Sequence, residues 1–301
     1  MLTHIGPGRQ HLRFGPLRVR TVWRAARLLA AFGVAGVATT LPAQVRTRVV
    51  PTSPRPGTLF RIMVGGPDTS DAPTGTVAGE PLHFARDSAR WVAWAAAPVD
   101  SSGAVHGVVA IGRDTVRLVV PLAPSPYRVE RLSVAPRFGR EPDSATARRI
   151  AREFADARAV SRRAHETPRL FTGAFARPRP GRVTSGFGNA REFNGAITSR
   201  HTGVDYAGAV GSPVRAAQRG VVRLVGAFYY AGNVVYVDHG VGMVTAYFHL
   251  ARADVLEGDT VRTGQVIGRV GATGRVTGPH LHFVARYGEI SVDGRTLPGY
   301  K

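Results

Sequence analysis

The pattern of apolar and polar residues divides the chain into two strand-rich halves. Across residues 44–138, short runs rich in β-branched and aromatic residues, such as Leu59-Phe-Arg-Ile-Met-Val64, alternate with Gly, Pro, Asp and Ser turns. Such runs predict a small N-terminal β-sandwich. Short strands with frequent glycine return across residues 181–301, for example at Asn233-Val-Val-Tyr-Val237. We therefore expect a mainly β chain whose C-terminal domain is an antiparallel β-sheet or sandwich.

The residues between these halves have a helical period. Asp143-Ser144 can cap a helix, and apolar residues then recur at steps of three and four among Arg and Glu: Ala147, Ile150, Phe154 and Ala157. This spacing predicts a connecting α-helix of roughly five or six turns within residues 141–166. Arg177-Pro-Arg-Pro-Gly181 is typical of a stiff linker. Residues 139–180 are thus predicted to be a helical and proline-rich connection.

The N-terminus has the pattern of a secretory signal peptide. Residues 1–27 carry six Arg and no acidic residue, and they lead into the apolar run Leu28–Ala38, followed by Leu41-Pro-Ala43. This pattern predicts a signal peptide over residues 1–43 and export to the periplasm, the cell envelope or the medium. The apolar run is shorter than the ~20 residues that span a bilayer, so no stable transmembrane span is expected.

Composition narrows the possible chemistry. The chain has 40 Lys and Arg residues against 20 Asp and Glu, a formal charge of +20. The basic residues are spread along the chain and not clustered with aromatic residues, so no nucleic-acid partner is expected. A basic surface also suits attraction to an anionic polymer such as a cell envelope. Because the chain has no Cys, any metal site must use His, Asp and Glu.

Two histidine motifs in the C-terminal half have spacings that suit a metal: His201-Thr-Gly-Val-Asp205 and His280-Leu-His282. Side chains alternate along a strand, so His280 and His282 should project from the same face. Gly203 lies within the first motif and Gly278 lies just before the second. A glycine lets the backbone bend closely around a bound ion. Two imidazoles and a carboxylate suit zinc and leave a fourth position for water, which is typical of a catalytic site.

Three further features favour structural roles. His83-Phe-Ala-Arg-Asp87 repeats the spacing of the first motif, but no second His cluster lies near it in the sequence. His239 lies in Asp238-His-Gly240, which favours a turn residue over a ligand. Ser185 lies in Thr184-Ser-Gly-Phe-Gly188, which lacks the Gly-x-Ser-x-Gly pattern of a nucleophilic serine.

Four segments, in order, resemble the zinc endopeptidases of the lysostaphin and LytM type, which cut the peptides of bacterial peptidoglycan: His201–Asp205, Tyr247-Phe-His-Leu250, Gly258–Gly268 and Gly274–Phe283. The resemblance covers about 120 of the 301 residues. It implies a C-terminal domain of the duplicated hybrid motif type and a Zn²⁺ cofactor held by His201, Asp205 and His282. It also implies that His249 and His280 are catalytic and act on water and on the developing oxyanion.

The expected function is therefore that of a secreted zinc metalloendopeptidase acting on peptidoglycan. Some relatives have lost the site residues and only activate other wall hydrolases, so a catalytically silent zinc-binding envelope adaptor is the alternative. A zinc peptidase that acts on a protein is a third possibility. The segment Val255–Gly268 also resembles biotinyl or lipoyl carrier domains, but these need a lysine in a hairpin, and the only lysine is Lys301.

Overall fold

The computed structural model describes residues 46–65, 71–138, 140–195 and 197–301. The predicted signal peptide over residues 1–43 lies outside these ranges. Among the described residues, no helix has the length and apolarity needed to cross a membrane.

The N-terminal half is a β-sandwich, as the alternating runs predict. Its first sheet has the strand order β1-β2-β6-β5 and its second β4-β3-β7-β8, and all pairs are antiparallel. One buried cluster takes Phe60 and Ile62 from the first sheet and Val109 and Leu118 from the second. The strands are β1 (Arg46–Val50), β2 (Leu59–Gly65), β3 (Thr74–Val77), β4 (Glu80–Pro81), β5 (Ala85–Asp87), β6 (Arg90–Ala96), β7 (Ala104–Ile111) and β8 (Asp114–Pro121).

The connecting segment contains the predicted helix, α1 (Ser144–Arg163). The Asp143 carboxylate accepts a hydrogen bond from the Thr146 backbone N–H at 2.7 Å and caps the helix, as expected. Its apolar stripe is buried only at the C-terminal end, where Ala157 and Val160 pack on the large sheet. Phe154, from the same stripe, is 56% exposed. Before the helix lie β9 (Val129–Leu132) and a 3₁₀ turn, Pro136–Phe138.

The C-terminal half is dominated by a ten-stranded sheet whose main path is β10-β13-β20-β17-β16-β15-β18. Strands β14, β19 and β21 extend it, and every pair is antiparallel. The strands are β10 (Val183–Ser185), β11 (Ala190–Phe193), β12 (Ile197–Arg200), β13 (Val204–Ala207), β14 (Pro213–Arg215), β15 (Gly220–Phe228), β16 (Gly232–Gly240), β17 (Met243–Ala253), β18 (Thr260–Val261), β19 (Val266–Val270), β20 (His280–Tyr287) and β21 (Ile290–Val292). A 3₁₀ turn, Gly294–Thr296, follows.

Both faces of the large sheet are buried, which explains its nearly continuous apolar strands. Val234 and Tyr236 pack under α1, whereas Val235 and Val237 face the main core. The main core also contains Leu59 from the sandwich. The fold class is thus mainly β, with a sandwich, a connecting helix and an antiparallel C-terminal sheet, as predicted.

A fourth, three-stranded sheet brings the connecting segment towards the C-terminal half. Strand β9 pairs in parallel with β11, and β11 pairs antiparallel with β12. The parallel register places Glu130 opposite Arg191. Glu130, which precedes the helix in the sequence, is thereby positioned beside the strands that carry the histidine motifs.

His239 lies inside β16 and is fully buried, not in the turn that the sequence indicated. Its Nδ1 lies 2.8 Å from the Arg219 carbonyl oxygen and its Nε2 lies 2.8 Å from Thr245 Oγ1. Thr245 Oγ1 is 3.0 Å from the Tyr247 hydroxyl, which accepts from the Ala217 N–H. These contacts form one series of hydrogen bonds if the His239 ring is neutral. Its Nδ1–H then donates to the Arg219 carbonyl, and its Nε2 accepts from the Thr245 hydroxyl.

This arrangement predicts a loss of stability in acid. Burial lowers the pKa of His239 to about 4, against about 6.5 in an unfolded chain. Between these values the unfolded chain binds a proton that the folded chain does not. The free energy of unfolding should therefore fall as the pH drops from 6.5 towards 4, by on the order of 3 kcal/mol from this group. Urea denaturation of His239→Gln should show a flatter pH profile than that of the unaltered chain.

His106 provides the matched control, because it is exposed on β7. His106→Gln should leave the profile unchanged. If the free energy of unfolding depends on pH equally in His239→Gln and in the unaltered chain, His239 is not the group whose protonation destabilises the fold.

Candidate active site

Three side chains from two adjacent strands and the loop before them converge on one point. Asp205 on β13 lies opposite His282 on β20 in the antiparallel register, and His201 lies just before β13. His201 Nε2 is 3.0 Å from His282 Nδ1 and 3.0 Å from Asp205 Oδ1, and the last two atoms are 2.7 Å apart. All three residues are buried. Among the described residues they are the one His, Asp and Glu group that could hold a metal ion.

The chemistry of these atoms fits a cation. Ligand atoms of a tetrahedral zinc ion are about 3.3 Å apart when the bonds are near 2.0 Å. The three atoms here are 2.7 to 3.0 Å apart, so a small outward movement would bring them to that spacing. His201 Nδ1 is 2.5 Å from the Gly186 carbonyl oxygen, which can only accept, so Nδ1 carries the proton and Nε2 presents a lone pair. Burial lowers the pKa of His282 to about 4, although the Asp205 carboxylate opposes this change. The ring of His282 is therefore neutral at neutral pH, the form that binds metals.

The two carboxylate oxygens of Asp205 have different partners. Oδ1 faces the histidines, whereas Oδ2 accepts a hydrogen bond of 2.6 Å from Arg191 Nη2. Burial alone would raise the pKa of Asp205, but the nitrogens of His201 and His282 outweigh it and hold this pKa well below its usual value. Asp205 is therefore ionised at neutral pH.

Arg191 is in turn held by Glu130, which the sequence did not single out, and by Ser185. Its Nε donates to Glu130 Oε2 at 3.2 Å, and its Nη2 lies 3.0 Å from Ser185 Oγ. Glu130 also accepts from Ser185 and from Asn189. These hydrogen bonds outweigh the effect of burial and lower the pKa of Glu130. Asp205 is thus oriented by a network that begins on β9.

His249 and His280 lie side by side next to the three convergent residues, with ring centroids 4.9 Å apart. Nδ1 of His249 is 2.8 Å from the Thr273 carbonyl oxygen, and Nδ1 of His280 is 2.8 Å from the Gly278 carbonyl oxygen. A carbonyl only accepts, so both rings carry their proton on Nδ1 and leave Nε2 free to accept another. His280 Nε2 lies 3.7 Å from Asp205 Oδ1.

A β-bulge turns His249 towards this site. Between the pairs Leu250 with Asn233 and Tyr247 with Val235, β17 has one more residue than β16. His249 adopts the left-handed φ of 61° there, a conformation that non-glycine residues rarely adopt. In a regular strand His249 would share the core-facing side of Tyr247. The burial that follows, with the adjacent His282 and His280, holds the pKa of His249 well below its usual value.

Two clefts flank the site. One, of about 370 Å³, is lined by Glu130, Arg182, Asp205, Arg275 and His280 among others. The other, of about 300 Å³, has more apolar walls and includes Phe154, Phe248, His249, Arg275 and His282. An extended peptide can therefore lie on both sides of the convergent residues.

Comparison with known proteins identifies the domain. The sequence profile of peptidase family M23 matches residues 199–294, a range that includes the five candidate site residues. These residues form an M23 peptidase domain. The resemblance to the lysostaphin and LytM type is thereby confirmed.

Curated relatives match this M23 domain. The chain is 42% identical over 118 residues to the peptidoglycan DD-endopeptidase ShyC of Vibrio cholerae, covering 38% of this chain and 27% of the relative. It is 51% identical over 86 residues to the DD-carboxypeptidase/endopeptidase Mpg of Neisseria meningitidis, covering 29% of this chain and 20% of the relative. The chain thus spans about a quarter or less of the length of these relatives.

One solved structure extends the similarity beyond the M23 domain. A candidate M23 peptidase from Pseudomonas aeruginosa superimposes with a TM-score of 0.63 at 28% identity, covering 81% of this chain and 94% of that one. The arrangement of sandwich, helix and M23 domain is therefore shared with another protein.

His83 lies away from the three convergent residues, and Ser185 is in a supporting position. His83 Nε2 is 2.8 Å from His165 Nδ1, and His165 Nε2 is 2.9 Å from Glu80, in a cluster beside the sandwich. Ser185 donates to Glu130, as described. Sequence reasoning missed Glu130 and Arg191, for which neither spacing nor motif gave a signal.

Proposed function

We propose that this chain is a secreted zinc metalloendopeptidase that hydrolyses peptide bonds of bacterial peptidoglycan. The observation that carries the proposal is the placement of His249 and His280, with proton-accepting Nε2 atoms, beside the convergent His201, Asp205 and His282. A site that only held a structural ion would have no use for two further oriented histidines. The named activities of ShyC and Mpg support the substrate class.

In this proposal His201 Nε2, Asp205 Oδ1 and His282 Nδ1 hold the zinc ion. When bound, zinc supplies an activated water molecule and polarises the scissile carbonyl. Among the described residues, no Glu side chain contacts His201, Asp205 or His282, so proton transfer falls to the histidines. His249 and His280 accept a proton at Nε2 and return it to the leaving amine, or donate a hydrogen bond to the oxyanion.

The test combines metal analysis with digestion of isolated sacculi. The purified chain should carry about one Zn²⁺ per molecule, and mass spectrometry should detect peptides that it releases from sacculi. A chelator should stop the release, and added zinc should restore it. Zinc binding without release would instead favour the adaptor, and cleavage of an unrelated protein without release would favour a peptidase with a protein substrate. A chain that binds no zinc would contradict all three.

A further inference from the structure

Arg275 occupies the position where the two clefts meet. It lines the cleft that contains Asp205 and His280, and it also lines the cleft that contains His249 and His282. A group bound to Arg275 would therefore lie close to the peptide bond that the proposed enzyme cuts.

Two aromatic rings hold the Arg275 guanidinium in place. Its Cζ lies 3.8 Å from the centroid of the Phe193 ring and 4.3 Å from that of the Tyr230 ring. Such contacts are favourable for a cation and restrict the plane of the guanidinium. Burial lowers the pKa of Arg275 to about 10, so the side chain is still a cation at neutral pH.

The charge of Arg275 has no acidic partner within the part of the chain that the structure describes. There, its guanidinium makes ring contacts but no hydrogen bond or ion pair with a side chain or carbonyl. Arg191 lines the same two clefts, yet its guanidinium is engaged by Asp205, Glu130 and Ser185. The Arg275 nitrogens still reach water, because among the described residues only Arg179 Nη1 is buried without a hydrogen-bond partner. A carboxylate from a ligand would therefore replace water on a cation that no described acidic group neutralises.

We propose that Arg275 binds a carboxylate of the peptide substrate next to the scissile bond. A guanidinium presents parallel N–H donors that match the two oxygens of a carboxylate, and Arg275 lines both clefts. The substrate class is thus an acidic peptide, whose carboxylate is either the chain terminus or the side chain of a residue near the cut. This inference rests on the proposed peptidase function and specifies its substrate.

The test uses matched synthetic peptides and the full chain loaded with zinc. One peptide has a free C-terminal carboxylate and an acidic side chain near the cut, and two others have one of these groups converted to an amide. Hydrogen bonds to a charged group contribute enough to change rates by roughly 10- to 100-fold. We expect kcat/KM to fall by that factor for one of the two amides, which identifies the source of the carboxylate.

We call the amide peptide with the lower kcat/KM the sensitive amide. Arg275→Gln should lower kcat/KM on the acidic peptide to the value for the sensitive amide. It should leave the rate on the sensitive amide unchanged. Arg182→Gln is the matched control, because Arg182 lines one of the same clefts but is exposed and makes no ring contact among the described residues. It should keep the preference for the acid. Zinc content and the thermal midpoint are measured on each variant.

The outcomes separate this inference from the proposed function. If the unaltered chain cuts the acid and both amides at equal rates, the carboxylate site is wrong and the peptidase assignment stands. This comparison needs no variant and holds even if Arg275→Gln does not fold. If Arg275→Gln loses activity equally on the acid and on the sensitive amide, Arg275 has a structural role and the inference is overturned. If the unaltered chain cuts none of the peptides and releases nothing from sacculi, the proposed function itself fails.

Discussion

Replacing His249 or His280 should lower peptide release from sacculi by ~100-fold or more while zinc stays bound. Each ring is held by a backbone carbonyl through Nδ1 and offers Nε2 to the cleft. Neither belongs to the convergent set of His201, Asp205 and His282. Removing either histidine therefore takes away the proposed proton acceptor and oxyanion donor but leaves the proposed metal ligands in place.

The choice of substitution matters at His249 because of its left-handed backbone. His249→Asn is preferred over alanine, since asparagine tolerates φ near 61° but cannot act as a general base. His280 has ordinary strand geometry, so His280→Ala is suitable there. Both variants should keep a thermal midpoint near that of the unaltered chain.

His282→Ala tests the other half of the assignment. It removes an atom that lies 2.7 Å from Asp205 Oδ1 and 3.0 Å from His201 Nε2, so zinc content and activity should fall together. The exposed His106 again gives the control: His106→Ala should change neither quantity. If His249→Asn and His280→Ala keep full activity, the mechanism is wrong, and if they lose zinc as His282→Ala does, the division of roles is wrong.

Much of the fold could be predicted because local patterns and tertiary structure agree. The Asp143 cap and the 3.6-residue period located α1, and the alternating runs located the sandwich strands. The apolar stripe of the helix is not buried along its whole length, and Phe154 is exposed, since periodicity shows which residues share a face but not how far the partner surface extends. The predicted turn at His239 was wrong. Asp-His-Gly favours a turn locally, whereas the buried hydrogen bonds through Thr245 to Tyr247 keep His239 in a strand.

The site was predictable where its residues fall in short motifs on neighbouring strands. His201, Asp205 and His282 converge because β13 and β20 pair directly. The supporting network was not predictable, since Glu130 reaches Arg191 through a parallel pairing of two short strands, and pairing between distant segments leaves no local period. The bulge at His249 was equally hidden: a regular strand would turn that side chain into the core.

Gly203→Ala should impair zinc binding although residue 203 is not a ligand. A Cβ at Gly203 would lie 2.6 Å from the Phe283 carbonyl oxygen and 2.7 Å from Cε1 and Nε2 of His282. The carbonyl belongs to β20, which pairs with β13 through Val204 and Phe283, so it cannot yield without loss of the pairing. Residue 203 must therefore move away from β20, or the ring of His282 must shift with it. Moving a support of a metal ligand typically costs 10- to 100-fold in metal affinity.

Gly278→Ala isolates this effect from the general cost of changing a glycine. Gly278 lies in the same motif, just before His280, but a Cβ there would meet nothing within 4 Å. Both substitutions restrict the unfolded chain in the same way, so the difference between the two variants reports the crowding at His282. Competition with a chromophoric chelator should show wild-type zinc affinity for Gly278→Ala and a loss of at least ~10-fold for Gly203→Ala. Equal affinities would mean that the ring of His282 is free to move without cost, and that the close approach of Gly203 does not position the ligand.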